Sequence, residues 1–132
     1  MSIDIENISK VWIELCGFKQ GSAEYESRFW AWEELNDATS ESPEIAWTII
    51  CEILKKTDSD QVIGNLAAGP LEDMMRYHDR FTMEKIKNEI QGNPKLKKCM
   101  ADVWLDSNDT NLYKKFYKLA GIPPVFDEVN DR

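Results

Sequence analysis

Histidine is nearly absent from this 132-residue chain, and His78 is the only one. A Ser-His-Asp or Cys-His catalytic device would have to be built on that single residue. Cysteine is scarce too. Cys16, Cys51 and Cys99 are odd in number, far apart, and each stands beside an apolar residue, Leu15, Ile50 and Met100. Zinc sites want paired spacings such as CxxC, and none is present. We read three buried thiols in a reducing compartment, with no structural disulfide, no metal and no other cofactor. The chain has no P-loop, no GxGxxG, no HExxH and no nucleophile elbow. No apolar run approaches the roughly 18 residues of a transmembrane helix. The start, Met1-Ser2-Ile3-Asp4-Ile5-Glu6, lacks the basic segment of a signal peptide, so a cytoplasmic location is expected. Sustained period-2 alternation and Asn-Gly or Asp-Gly hairpin turns are also missing, which removes the usual signs of a sheet.

What is present is a globular composition. Hydrophobic residues make up 42% and charged residues 30%, too apolar for a disordered chain. This length suits one domain that buries about two-thirds of its unfolded surface. The net charge is −8, which argues against a general binder of nucleic acid or anionic membrane. Charge is uneven along the chain. Residues 1–60 hold thirteen acids and five bases, whereas residues 61–132 hold eleven of each.

The dominant period is helical. Ile5, Ile8, Val11, Trp12, Leu15 and Cys16 form an i, i+3, i+4, i+7 stripe. Ser22 can cap a second helix running to about Ala38, with Tyr25, Phe29, Trp32 and Leu35 inward. Ser42-Pro43-Glu44 is a cap-then-proline start, followed by the stripe Ala46, Trp47, Ile50, Ile53 and Leu54. Asp58 with Gln61 resembles a capping box. It opens a helix that Gly69-Pro70 is expected to break, starting another with Leu71, Met74 and Met75 inward. Thr82 can cap the next helix, placing Phe81 and Ile86 as a hydrophobic staple. Asn93-Pro94 repeats the cap-then-proline start, with Leu96, Cys99, Met100, Val103 and Trp104 as its stripe. Asp106 to Thr110 reads as a polar turn. Leu112, Tyr113, Phe116, Tyr117 and Ala120 make the last helix, stopped by Gly121 and Pro123-Pro124.

The expected fold is all-α. Seven to eight short amphipathic helices pack as antiparallel helical hairpins over residues 1–122, with a flexible tail at 123–132. The two cap-then-proline starts, with Trp47 and Trp104 inward, point to a HEAT-like or α-solenoid-like stack as one form of it. The core should hold Trp47, Ile50, Leu54, Leu66, Leu71, Met100, Val103 and Phe116.

The run Leu66-Ala67-Ala68-Gly69-Pro70-Leu71-Glu72-Asp73-Met74-Met75 resembles the LAAGPLEDLL-type signature of a family of small bacterial all-helical proteins of unknown function. Trp32-Glu33-Glu34-Leu35, Pro43-Glu44-Ile45-Ala46-Trp47, His78, Phe81, Pro94 and Val103-Trp104 resemble its flanking patterns. The resemblance covers about residues 30–104. It implies a helical fold and a bacterial, cytoplasmic setting, and it carries no catalytic residue across. In physical terms, Ala67, Ala68 and Gly69 are small enough for close backbone approach, and Pro70 sets a first helical turn. A helix-to-helix corner is the structural reading, and a ligand or partner site at an exposed helix N-terminus is the functional one.

Candidate site residues are mostly acids. Glu26, Glu33, Glu34, Asp37, Glu41 and Glu44 crowd into a short stretch whose only base is Arg28. They can be a solvated face, a pair for acid–base chemistry, or a partner-binding surface. Trp30 lies about 200° around a helix from Trp32, so the two cannot both face one core. An exposed Trp30 would be an apolar anchor amid the acids; the alternative is burial under a neighbouring helix. Glu72, Asp73 and His78 form a secondary candidate cluster. Against it, Glu72 and His78 are six residues apart and do not share a helix face, and a hydrogen-bonded structural histidine is the plainer reading. Lys85, Lys87, Lys95, Lys97, Lys98, Lys114, Lys115 and Lys118 could touch nucleic acid, but no arginine joins them and the nearby aromatics stand at core spacing, so a solvated lysine face is the plainer reading.

The leading functional expectation is a non-enzymatic protein-binding module with a basic partner, most sharply an immunity- or antitoxin-like protein that neutralises a basic toxin. The alternatives are a housekeeping adaptor or regulatory subunit with a helical groove, and a small acid–base hydrolase using acids near Glu33 or Glu72. No nucleic-acid or membrane partner is expected.

Overall fold

The computed structural model describes residues 4–104 and 110–121. The polar turn expected from Asp106 lies outside the described residues except for Thr110, and so does the tail expected at 123–132. Among the described residues there is no strand, and the all-α expectation holds.

Helix α1 (Ile5–Cys16) starts at Asp4, whose carboxylate accepts from the Asn7 amide at 3.0 Å. It buries Ile8, Ser9, Trp12 and Leu15. The turn that follows uses Gly21 at φ +91°, a left-handed conformation that a side chain would strain. Ser22 then caps α2 (Ala23–Glu26) by accepting from the Tyr25 amide at 3.1 Å. The expected single helix is in fact two. The chain kinks at Ser27-Arg28 before α3 (Phe29–Glu41) begins.

Helix α4 (Pro43–Lys56) is the centre of the molecule. Ala46, Trp47, Ile49, Ile50, Ile53 and Leu54 are all buried, a wider apolar surface than one neighbour could cover. Accordingly α1, α3, α7 and α8 all pack on it. The chain neighbours α3 and α4, α6 and α7, and α8 and α9 also pack on each other. The helices thus close around a central rod, whereas a solenoid unit touches only its neighbours. Pro43 takes the first helical position, but the Ser42 side chain makes no capping bond.

Asp58 is not the next cap. Ser59 is, accepting from the Val62 amide at 3.3 Å, while Asp58 pairs with Lys95 at 2.9 Å and Gln61 Nε2 donates to the Cys16 carbonyl at 3.2 Å. Helix α5 (Asp60–Leu66) does not break at Gly69-Pro70. It passes through a π-helical turn, Ala67–Leu71, straight into α6 (Glu72–Tyr77). An α-helix would set the Pro70 ring against the Leu66 carbonyl four residues back and leave that carbonyl without an amide donor. Widening the turn to i→i+5 spacing relieves the clash. The expected corner is therefore a bulged rod, with Ala67, Pro70 and Leu71 buried. The exposed helix N-terminus expected at Pro70 does not exist.

Helix α7 (Asp79–Glu89) begins three residues before Thr82, with His78 at its cap. Thr82 is inside the helix, so no staple forms around it. Its buried hydroxyl donates to the Met74 carbonyl at 3.1 Å and ties α7 to α6. A 3-10 turn, Ile90–Gly92, leads to α8 (Pro94–Ala101). Here the expected cap is found, with Asn93 Oδ1 accepting from the Leu96 amide at 3.0 Å. Helix α9 (Thr110–Ala120) packs on α8 and α7 through Phe116, Tyr117 and Ala120, and the Tyr117 hydroxyl donates to the Val103 carbonyl.

All eight expected core residues are buried. Cys99 is buried, Cys16 and Cys51 are half-buried, and all three are free thiols. Trp104 departs from its expected inward place. It lies beyond the end of α8 and is 69% exposed. No helix among the described residues is long and apolar enough to cross a membrane.

Candidate functional site

Helix α3 carries the main cluster, and its spacing decides which residues share a face. At about 100° per residue, Ala31, Leu35, Ala38 and Thr39 fall within an arc of roughly 100°, and these are the residues α3 buries. Trp30, Glu33, Glu34, Asp37 and Glu41 fall within another arc of roughly 100° centred well away from the first. All five are exposed, with Trp30 at 40%. The stripe is about 17 Å long at 1.5 Å per residue. It presents four carboxylates and one indole to solvent.

No described residue forms an ion pair with any of these acids. Arg28, the only base in that stretch, faces elsewhere. Its Nε donates to Glu14 on α1 at 3.0 Å, Nη1 donates to the Glu24 carbonyl at 2.9 Å, and the guanidinium lies 4.5 Å from the centre of the Phe18 ring. The acids therefore repel one another without local relief. Glu33 and Asp37, Glu34 and Asp37, and Asp37 and Glu41 are the three- and four-residue neighbours. Glu26 is exposed on α2. Glu44 is exposed on the first turn of α4 and lines a shallow depression with Ile5, Ile45 and Thr48.

The expected placing of Trp32 in the core is corrected here. Trp32 is 39% exposed. It stands just past the buried arc, opposite Trp30, and stacks on Phe29 with ring centres 5.1 Å apart. Phe29 in turn meets Tyr25 at 5.9 Å. Tyr25, Phe29 and Trp32 thus form a half-buried aromatic ladder on the flank of α2 and α3. Its i, i+4, i+7 spacing looks like a core stripe in sequence. The signal against that reading is the run of small partners on the true inner face, Ala31, Ala38 and Thr39, which lets α3 approach its neighbours without a large ring between them.

The secondary cluster does not converge. Glu72 accepts weakly from the Trp104 amide at 3.5 Å. Asp73 lies 3.6 Å from Arg76; partial burial pushes its carboxyl up, with Arg76 opposing. His78 stands between α6 and α7 without a side-chain capping bond, and its buried Nε2 has no hydrogen-bond partner among the described residues, so the hydrogen-bonded histidine expected from the sequence is not found. Among the described residues, no group of three or more His, Cys, Asp or Glu side chains is placed to hold a metal ion.

A family model described as a family of unknown function (DUF6869) matches residues 19–121, and the chain belongs to that family. No curated protein matches the chain, and neither does any solved structure.

Proposed function

We propose that this member of DUF6869 is a non-enzymatic protein-binding module whose interface is the α3 stripe and whose partner is a basic protein. The observation that carries the reading is the single exposed face holding Trp30, Glu33, Glu34, Asp37 and Glu41, to which no described cation is paired. Unpaired like charges at helical spacing cost the free protein stability, and a basic partner removes that cost on binding. The same field raises the rate at which a cationic partner is captured. Trp30, exposed on the same face, supplies the desolvated aromatic contact that charge alone does not. In its sharpest form the partner is a basic bacterial toxin and the protein its cytoplasmic immunity factor. An adaptor with a basic client would use the same face.

The test is capture from native lysate with the wild-type chain and with the Glu33→Lys/Glu34→Lys/Asp37→Lys variant side by side. Proteins retained only by the wild type are then purified and their association rates measured against both chains. A basic protein should be retained by the wild type and associate more slowly with the variant, most strongly at low salt. Equal rates for the two chains in low salt would remove α3 as the interface. A toxin encoded beside this gene would favour the immunity form over the adaptor.

A further inference from the structure

Seven of the eight lysines from Lys85 to Lys118, all but Lys114, divide into distinct sets in the fold. Lys95 and Lys98 reach back to the start of α5, where Lys95 pairs with Asp58 at 2.9 Å and Lys98 pairs with Asp60. Lys85 stands over the Phe81 ring at 5.4 Å. Lys87, Lys97, Lys115 and Lys118 do neither. All four line a cleft of about 1380 Å³ bounded by α7, the 3-10 turn, α8 and α9. No described residue forms an ion pair with any of them, and Glu84 is the one acid among the described lining residues. Met83, Ile90 and Leu119 supply an apolar lining between the charges. The stem of Lys97 lies along the end of α9. Gly121 sits there at φ +74°, and a Cβ on it would come within 3.0 Å of Lys97 Cε.

We propose that this cleft is a docking groove for an acidic segment of a partner protein, one that presents carboxylates around an apolar side chain. The proposal is independent of the α3 reading. The two surfaces have opposite charge and stand on different helices, with α4 packed against both groups. On a chain of net charge −8, four ammonium groups around one concavity, paired by no described residue, reverse the local field and draw anions to it. The apolar lining selects among anions. A peptide side chain covers Met83, Ile90 and Leu119, whereas a phosphate chain leaves them wet. Single-stranded nucleic acid would want exposed rings on which bases stack, and Phe116 and Tyr117 of α9 are buried.

The experiment titrates the full chain into a fluorescein-labelled peptide of Glu-Glu-Leu repeats and follows anisotropy. Saturable binding is expected. It should weaken at least about tenfold in Lys97→Glu/Lys115→Glu, fall with added salt, and survive in Lys97→Arg/Lys115→Arg. A circular dichroism melt checks that each variant is folded. Amide shift mapping on the wild type gives a reading that needs no variant, and the shifts should gather at Ile90, Lys97 and Leu119. No saturable binding, or binding that the reversal leaves unchanged, overturns the proposal. So does a Lys-Lys-Leu peptide binding as well, or a single-stranded DNA binding as tightly with the same lysine dependence. If the peptide binds only after truncation at Gly121, the groove serves the chain's own residues 122–132, and the partner proposal falls.

Discussion

Replacing Asp37 should make the free protein more stable and its capture of a basic partner slower. Asp37 is the middle of the α3 stripe, with Glu33 four residues before it, Glu34 three before and Glu41 four after. Each like-charge pair at these spacings costs about 0.2–0.5 kcal/mol. Asp37→Asn removes three such pairs without a material change in helix propensity, so it should stabilise by about 0.6–1.5 kcal/mol. Asp37→Lys turns the repulsions into attractions. The pair with Glu41 then runs in the less favourable order, lysine before glutamate, and a total of about 1–2 kcal/mol is expected. For a chain of this length that raises Tm by about 3–8 °C. Asp37 is mid-helix, so the helix dipole contributes little to either change. The assay is a thermal melt at low ionic strength and again near 1 M salt, where the Debye length has shrunk to about 3 Å and most of the gain should vanish. If neither variant moves Tm at low salt, the stripe is not under electrostatic strain, and the argument that a partner relieves it fails with it.

Trp47→Ala should cost about 3–5 kcal/mol in denaturant unfolding, because Trp47 is buried in α4, on which four other helices pack; a loss below about 1 kcal/mol would place the indole at the surface. Burial pushes the Cys51 and Cys99 thiols up to about 12, so at pH 8 the reactive thiolate is scarce. Iodoacetamide should leave both unmodified in the native protein and label them once denaturant is added; rapid native labelling of Cys99 would contradict its burial.

What the sequence determined by itself is whatever depends on chemistry within one helix. The caps at Ser22 and Asn93 need only a side chain and an amide three residues on. The core positions from Trp47 to Phe116 follow from apolar spacing, and the shared face of Trp30, Glu33, Glu34, Asp37 and Glu41 follows from the helical period. Tertiary structure decided which faces acquire a cover. Periodicity groups Tyr25, Phe29, Trp32 and Leu35 together, yet only Leu35 is fully buried, because α3 meets its neighbours through Ala31, Ala38 and Thr39. Pro70 shows the same division. Its missing N–H and its ring argue locally for a break, but a π-helical turn accommodates both within one rod from Asp60 to Tyr77. The lysines are the clearest case. Lys98 and Lys97 are adjacent in sequence, but Lys98 is neutralised by Asp60, 38 residues away, while Lys97 faces the open cleft. Side-chain charge is a property of the residue, whereas its pairing depends on what the fold brings within a few ångströms.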